Sequence, residues 1–535
     1  MASPRTVTRF ADDRSPNGGR SIAQKYDTLI TFLYNAVRIP MTSPTPTNGT
    51  QGAPASGHQH GINLIGLIAL VISSSIGSGV FALSTDISAA AAPGPAIIAW
   101  LITGLGFMML AGTFGRLSIR RPDLDGIVAY AREGFGPFIG FISGWGYWLS
   151  IWIGNVAFGV MLITAIGYFY PPFAGQLTLA GVAVISLINW AMIALVNRGV
   201  EEASVINAIV MVCKLVPIFA FIAMMLLVFS FDVFTADFWG TLANNMGAVD
   251  APGSVSQQII NCFMVMMWVF VGMEGASVLG HRAERKRDVS RATILGTTAL
   301  VIIYVSASVL PYGFMTREEL MALSAPSMPY IFAQAVGPWG GAFISGGLII
   351  SIFGAWLSYT ILASEAMQGM ARMQLLPATF AKTNAHGAPT SCLLLTGIMI
   401  QVLAIVMLFS EAAYEFAYSL CTAAIVISWS LAALYMVRYA RSETYAGRMR
   451  DAGIAAFAVV FLVVAIILAG LDLLALCCIA YIPGIYFYIR ARRELGAERI
   501  LGKLDRVVAV LILLVGIGMI AYLAYSIATT GVMPL

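Results

Sequence analysis

Two short stretches of the chain interrupt apolar runs with residues that form helices poorly. "SSSIGSGVF", residues 73–81, lies within an apolar run from Ile62 to Leu83, and "WVFVGMEGAS", residues 268–277, lies within another. Unwound backbone inside hydrocarbon costs several kcal/mol per unsatisfied group, unless protein or ligand meets it. Amides at a half-helix N-terminus suit a carboxylate, and free carbonyls suit an ammonium, so both breaks are candidate sites for an α-amino acid. The alternative is that the small residues only allow close helix packing.

Ionisable side chains inside apolar runs are functional candidates because burying them is costly. Glu274 follows the second break directly and is a candidate partner for a cationic substrate or a proton carrier; the alternative is a structural partner for unwound amides. Lys214 lies deep in "VMVCKLVPIF", where its ammonium can stand in for a metal cation between two spans; the alternative is a lysine that snorkels to the interface. Glu365 is a weaker candidate, and Asp86 and Asp472 fall at span ends and need no special role.

Aromatic residues complete the candidate site. Trp268 lies just before the second break, and Trp356 lies within a later apolar run. Tyr147 and Asn155 are eight residues apart and so share roughly one helix face. A guanidinium or ammonium group stacks well on tryptophan, although a single tryptophan is more often a lipid-belt or packing residue. The residues that fit the lipid-belt interpretation better are Trp145, Trp148 and Trp152.

The elements that must position these side chains are membrane spans. The 535 residues are 59% hydrophobic and only 10% charged, which is far below the charge of a soluble protein. Apolar runs of roughly 20 residues recur, each long enough to cross a bilayer. The sequence therefore predicts an all-α polytopic membrane protein. Its thirteen predicted spans lie near 62–84, 94–116, 137–169, 176–196, 203–231, 257–280, 292–314, 337–368, 388–409, 412–437, 452–470, 473–490 and 505–527.

Basic residues concentrate before span 1 and in the loops between spans 2 and 3, 6 and 7, 10 and 11, and 12 and 13. The alternate loops are nearly free of lysine and arginine. By the positive-inside rule, this pattern places the N-terminus in the cytoplasm and, with an odd span count, the C-terminus outside. The same placement explains the net charge of +4 without a nucleic-acid partner. The partner of the spans is the lipid bilayer of the cell membrane.

The composition also divides the chain. Residues 1–60 are polar and predicted to be a disordered cytoplasmic tail. The two breaks lie five spans apart, which is typical of inverted-repeat transporters and predicts halves at 61–250 and 251–440, followed by C-terminal spans in 441–535. The four histidines lie in the tail or in loops, and the six cysteines lie in apolar runs without metal-type spacing. No metal site and no cofactor are predicted.

With these breaks, aromatic residues and charges, the chain resembles the basic amino acid/polyamine antiporters of the amino acid–polyamine–organocation superfamily, and within them the arginine/ornithine antiporters. The resemblance covers about residues 62–490 and implies the LeuT-type fold of two inverted five-span repeats. The matching segments are "SSSIGSGVFAL" (73–83), "AYAREGFGPFIGF" (129–141), "GYWLSIWIGNV" (146–156), "TADFWG" (235–240), "WVFVGMEGASVLGHRAERKRDVSRATILG" (268–296) and "PSMPYIFAQAVGPWGGAFISGGLIISIFGA" (326–355).

The resemblance also implies roles for individual residues. It places the substrate backbone at the span 1 amides and at span 6 carbonyls, and it makes two tryptophans the walls around a guanidinium-bearing chain. Two departures stand out: Ser150 falls where related exchangers vary, and Lys214 resembles a lysine of proton-coupled amino-acid transporters. The substrate-binding candidates are Ile76, Gly77, Ser78, Gly79, Tyr147, Ser150, Asn155, Trp268, Val271 and Trp356, and the gating or coupling candidates are Glu274 and Lys214.

The sequence leaves three functions to compare. The first is an exchanger of arginine for ornithine that works by alternating access. The second is a proton-coupled lysine/arginine permease, and the third, more remote, is a membrane-embedded sensor or enzyme. The third needs a catalytic cluster or a signalling domain, and the chain shows neither, so a non-enzyme is predicted. The oligomeric state is left open, with a homodimer as one alternative.

Overall fold

The structure is a computed structural model that describes residues 62–530, apart from residue 125, residues 200–202, 247–250 and 279–282, and residues 411 and 498. The predictions for the N-terminal tail and for the extreme C-terminus fall outside the described residues. All the regular elements of the described residues are helices, so the all-α prediction is confirmed.

Eleven continuous helices of the described chain are long and apolar enough to cross a membrane. They correspond to predicted spans 2–5 and 7–13, and with the two broken spans they make thirteen. The helices end where apolar residues give way to polar ones, and several of them begin at a proline. The bounds are Pro93–Arg120, Pro137–Gly167, Leu179–Asn197, Ala203–Val228, Lys286–Val309, Pro338–Arg372, Thr390–Val406, Ala413–Ser442, Arg448–Ala469, Asp472–Glu494 and Lys503–Thr530.

Spans 1 and 6 are both broken at the predicted positions. Span 1 consists of helix Leu64–Ser75, a single tight turn at Gly79–Phe81 and helix Leu83–Ala90. Span 6 consists of helix Val255–Trp268 and, after a run of turns, the short helix Gly275–Val278. Glycine and serine supply little helix propensity at these points, so tertiary packing decides the path of the backbone.

A second local feature repeats between the two halves. A short helix, Gly126–Phe135, precedes span 3, and another, Met328–Val336, precedes span 8. Each short helix ends at a glycine with a left-handed backbone, Gly136 (φ +91°) and Gly337 (φ +94°), and the next residue is a proline that opens the following span. Glycine adopts this φ without steric cost, and proline suits the first helical position. The repeated turn supports two related five-span halves, while their boundaries stay a prediction.

The spans differ greatly in how far they are enclosed. In the most apolar stretch of span 3, 89% of the residues are buried, against 11% in span 13. Span 3 packs mainly on spans 8 and 10, and span 13 packs on span 12. Span 3 therefore lies at the centre of the protein, and span 13 lies at its periphery.

Two loops that are both predicted to be cytoplasmic contact each other. Arg116, at the end of span 2, pairs with Asp451 at the start of span 11. Arg120 donates to the carbonyl of Ala446 (3.2 Å), and its guanidinium lies 4.2 Å from the ring centre of Tyr445. The loops between spans 2 and 3 and between spans 10 and 11 thus lie on the same side, as the charge pattern requires.

Further short helices and helical turns connect the spans: Pro171–Phe173, Phe231–Thr235, Thr241–Asn245, Leu310–Gly313, Arg317–Met321, Ala378–Ala381 and Met407–Phe409.

Candidate functional site

The two breaks lie directly against each other. The Ser74 hydroxyl donates a hydrogen bond of 2.7 Å to the carbonyl of Gly272. Gly272 has φ +102°, and a β-carbon at this position would lie 2.4 Å from the carbonyl oxygen of Ser74. Val271, just before it, is 3% exposed and donates its amide to the carbonyl of Trp268 (3.0 Å). Only glycine allows both this backbone conformation and this close approach.

The span 1 break presents amides on one side and carbonyls on the other. The amide of Ile76 closes the last helical turn on the carbonyl of Ile72 (2.9 Å). The following turn begins at Ser78, whose carbonyl accepts from the amide of Phe81 (3.1 Å). The first amides of such a turn, at Ser78 and Gly79, have no partner within the helix. This arrangement can receive a carboxylate, as the sequence predicts.

Lys214 binds the carbonyl side of the same break. Its ammonium donates to the carbonyls of Ser73 and Ile76, both at 2.9 Å, and the residue is 2% exposed. The alternative of a snorkelling lysine is therefore wrong. A charge on span 5 instead satisfies two carbonyls that the break leaves without helical partners, which is the position predicted for an ammonium that replaces a metal cation.

Trp268 covers the break from the span 6 side. A β-carbon at Gly79 would lie 2.7 Å from the indole nitrogen, so the ring rests directly on the span 1 backbone. The indole N–H donates to the hydroxyl of Tyr414 (3.3 Å), and the ring stacks on Tyr418 at 6.1 Å between ring centres with 21° between planes. These two tyrosines of span 10 fix the orientation of the indole.

Phe158 is a site residue that the sequence analysis missed. Its ring would lie 2.8 Å from a β-carbon at Gly77, and ring centres are 6.1 Å from Trp268 and 5.0 Å from Tyr359. The signal was its spacing, since Phe158 follows Asn155 by three residues and so shares its helix face. Phe158 links span 3 to both breaks.

Asn155 and Trp356 both lie where span 3 packs on span 8. The Asn155 amide nitrogen donates to the hydroxyl of Thr360 (3.5 Å), and a β-carbon at Gly159 would lie 3.0 Å from the Trp356 ring. The Asn155 amide oxygen and the Trp356 indole nitrogen are buried, and no hydrogen bond from the described residues reaches either of them. Since buried polar atoms are nearly always hydrogen-bonded, these two atoms are candidate contacts for a polar ligand.

The remaining predicted residues lie on span 6 and span 3. Glu274 is 1% exposed and accepts a hydrogen bond from the indole nitrogen of Trp429 (3.3 Å), so it joins the span 6 break to span 10. Ser150 is buried, with its hydroxyl 3.2 Å from the sulfur of Cys421. Tyr147 is buried two turns before Asn155 on the same span.

The three tryptophans assigned to a lipid belt are in fact buried, so that interpretation is wrong. Span 3 is enclosed by other spans, and a belt residue must face lipid. Two of the indole nitrogens donate to other spans, from Trp145 to the carbonyl of Ala480 (2.9 Å) and from Trp148 to the hydroxyl of Thr396 (3.1 Å). The exposed fractions are 1% for Trp145, 1% for Trp148 and 3% for Trp152.

Two broken spans that contact each other at corresponding places of two five-span halves define a secondary transporter of the inverted-repeat class with the LeuT-type fold. A family model described as amino acid permease matches residues 62–489, and the chain belongs to that family. The chain is similar to an arginine/ornithine antiporter of Latilactobacillus sakei, with 50% identity over 454 residues that cover 85% of this chain and 95% of the relative.

Two more distant relatives match over a similar length. An arginine/ornithine antiporter of Pseudomonas aeruginosa is 39% identical over 447 residues, which cover 81% of this chain and 92% of the relative. An arginine/agmatine antiporter of Chlamydia caviae is 35% identical over 445 residues, which cover 82% of this chain and 91% of the relative.

Proposed function

We propose that this protein exchanges cationic amino acids, most simply arginine for ornithine, across the cytoplasmic membrane by alternating access. The observation that carries the proposal is the contact between the two breaks, Ser74 to Gly272, with the Trp268 indole lying on Gly79. The names of the similar antiporters give the substrate pair. Lysine is a further candidate substrate.

The substrate backbone would bind across the two breaks. Its carboxylate would accept hydrogen bonds from the amides of Ser78 and Gly79, because the amides of Ile76 and Gly77 already donate to the carbonyls of Ile72 and Ser75. Its α-ammonium would donate to the carbonyl side of span 6 near Val271. These contacts recognise only the carboxylate and the α-ammonium, which are common to all amino acids. They also hold the two spans in one relative position while a substrate is bound.

The side chain of the substrate would extend toward spans 3 and 8. A guanidinium or ammonium group on the faces of Trp268 and Trp356 gains about 1–2 kcal/mol when water is excluded. The unpaired amide oxygen of Asn155 is an acceptor for its N–H groups. Tyr147 and Ser150 would shape the end of this space. A neutral side chain of equal size gains less from every one of these contacts.

Glu274 and Lys214 would govern the transport cycle. Glu274 connects the span 6 break to span 10 through its hydrogen bond with Trp429. This hydrogen bond would couple the movements of the two elements. Lys214 holds the span 1 carbonyls with a fixed charge. If that charge stays in place throughout the cycle, transport is exchange. If the ammonium gives up its proton, transport is coupled to protons, which is the alternative function.

One experiment separates these functions. Proteoliposomes are loaded with ornithine, or left empty, and labelled arginine is added outside with or without an acidic exterior. Exchange predicts uptake only into loaded vesicles, independent of the pH gradient. Equal uptake into empty vesicles under the gradient would support the lysine/arginine permease instead, and the absence of uptake under all conditions would overturn both.

The orientation is part of the proposal. The N-terminus and the basic loops would lie in the cytoplasm, and the halves 61–250 and 251–440 would be related by an axis in the membrane plane, with 441–535 outside the repeat. An enzymatic reporter fused after Leu535 should then be active outside the cell. A reporter active only in the cytoplasm would mean an even number of spans.

A further inference from the structure

Gln258 is a buried polar side chain that the proposed site does not use. It lies in the first turn of helix Val255–Trp268, the outer half of span 6 in the proposed orientation, and it is fully buried. Its side-chain oxygen accepts a hydrogen bond of 2.8 Å from the backbone amide of Ala92, which lies between spans 1 and 2. Its side-chain nitrogen donates to the carbonyls of Trp239 (3.1 Å) and Gly253 (3.0 Å), between spans 5 and 6. One side chain thus joins three separate parts of the chain.

The segment "TADFWG", residues 235–240, packs on this junction. The backbone amide of Gly94, at the start of span 2, donates to the carbonyl of Phe238 (2.8 Å), and a β-carbon at Gly94 would lie 2.7 Å from the Phe238 ring. Gly240 has φ +71°, and a β-carbon there would lie 3.1 Å from the side-chain nitrogen of Gln258. The segment therefore reaches both span 2 and span 6. We refer to these contacting groups as the outer clamp: Gln258, Ala92, Gly94 and residues 235–240.

The breaks make the outer halves of spans 1 and 6 independent of the inner halves. A continuous helix fixes one end relative to the other through its backbone hydrogen bonds, and each break interrupts that series of bonds. The inner side is held by the hydrogen bond from Ser74 to Gly272 and by the Lys214 ammonium on span 1 carbonyls. These inner contacts do not determine the position of the outer helices, Leu83–Ala90 of span 1 and Val255–Trp268 of span 6.

Two groups of the proposed site belong to these outer halves. Trp268 ends the outer helix of span 6, and the backbone of Ser78 and Gly79 leads into the outer helix of span 1. The indole lies on Gly79, where an added β-carbon would be 2.7 Å from the indole nitrogen. The outer clamp connects the opposite ends of the same two helices, since Gln258 lies near the start of one and Ala92 just after the end of the other. The distance from the indole to the span 1 amides therefore depends on the outer clamp.

We propose that Gln258 is a positioning residue for the central site. Through the outer clamp it fixes the outer half of span 6 against the far end of span 1, and so holds the Trp268 indole over the amides of Ser78 and Gly79. Binding groups must be held within about 0.5 Å of their working geometry to be effective. The inference rests on the proposed function and deepens it, because the affinity for a cationic amino acid then depends on a side chain that does not touch it.

A buried glutamine can also contribute to stability alone, and the two roles differ in what they change. A purely structural Gln258 would set the amount of folded transporter, so that a variant would have a lower maximal rate and fewer binding sites at an unchanged KM. A positioning residue sets the quality of each site, so that a variant would have a higher KM and a higher Kd in the molecules that fold.

The test uses Gln258→Met, which keeps the length of the side chain and removes its hydrogen bonds. Initial rates in ornithine-loaded proteoliposomes give the KM and the maximal rate for external arginine, and equilibrium dialysis of the purified protein gives the Kd and the number of sites. The matched control is Gln368→Met. Gln368 is also a buried glutamine, and it donates to the carbonyl of Ala381 (3.3 Å) at the other end of the protein, after span 8.

We expect the KM and the Kd for arginine to rise about tenfold in Gln258→Met. One buried amide and two carbonyls lose their partner, and buried polar groups without a partner are costly, so the outer half of span 6 shifts to regain hydrogen bonds. In the control, the KM and the Kd should stay within about twofold of the wild type, even if the melting temperature falls, because its lost hydrogen bond does not involve spans 1 or 6.

An unchanged KM and Kd in Gln258→Met would overturn the inference, as would an equal rise in Gln368→Met. If Gln258→Met does not fold, Gly94→Ala decides, since its methyl group displaces Phe238 and with it the neighbouring carbonyl of Trp239; a KM about threefold higher is expected, and a wild-type KM would overturn the inference. A wild-type protein that does not exchange arginine for ornithine would overturn the proposed function as well. An active wild type with unaffected variants would overturn the role of Gln258 alone.

Discussion

Replacing Gly272 by alanine tests whether the contact between the two breaks is essential. The new β-carbon would lie 2.4 Å from the carbonyl oxygen of Ser74, whereas ordinary contact begins at 3.4 Å, so the two backbones must separate by about 1 Å. That separation breaks the 2.7 Å hydrogen bond from the Ser74 hydroxyl, worth about 1 kcal/mol. Holding alanine in the left-handed conformation costs a further 1–2 kcal/mol, roughly.

The sum, about 2–3 kcal/mol, corresponds to roughly a 30- to 150-fold change in an equilibrium constant. We therefore expect Gly272→Ala to weaken arginine binding to the purified protein by at least about tenfold, and to slow ornithine-driven arginine uptake to a similar extent. Binding is measured by equilibrium dialysis with labelled arginine, and folding by the melting temperature in detergent.

The control is Gly346→Ala in span 8, where an added methyl group meets nothing within 4 Å. Alanine is better than glycine in a helix by about 1 kcal/mol, so this variant should be as active as the wild type and at least as stable. Wild-type binding and uptake in Gly272→Ala would refute the view that the two breaks must touch to form the site.

The remaining predictions concern the walls and the charge of the site. Trp268→Ala and Trp356→Ala should each lower initial arginine uptake about tenfold at normal membrane levels, because a desolvated cation–π contact is worth about 1–2 kcal/mol; normal rates in both would remove them from the site. Gly79→Ala should weaken binding of arginine more than of agmatine, which lacks the carboxylate that the span 1 amides would hold; equal losses in a binding assay would instead indicate only the clash with Trp268. Lys214→Met should lower the melting temperature and abolish exchange, because two carbonyls lose a charged donor worth about 1.5–3 kcal/mol each; an unchanged melting curve would show that the ammonium is dispensable.

The sequence by itself determined the membrane class, the number of spans and the positions of both breaks. These properties depend on local composition. A run of about 20 apolar residues is long enough to cross hydrocarbon wherever it lies in the chain. Likewise, the glycines and serines of 73–81 and the glycines of 268–277 weaken a helix regardless of its neighbours. The basic loops gave the predicted orientation for the same reason, since charge in a loop acts without reference to the fold.

Only the tertiary structure decided which side chains meet. The ammonium of Lys214 lies on carbonyls of Ser73 and Ile76, which are more than a hundred positions away in sequence. Phe158 reaches both breaks, and Asp86 is only 8% exposed although the sequence places it at a span end. Periodicity shows which residues share one face of a helix, but the partner of that face is chosen by the packing of thirteen spans. For this reason most candidate residues of each span followed from the sequence, while their contacts required the fold.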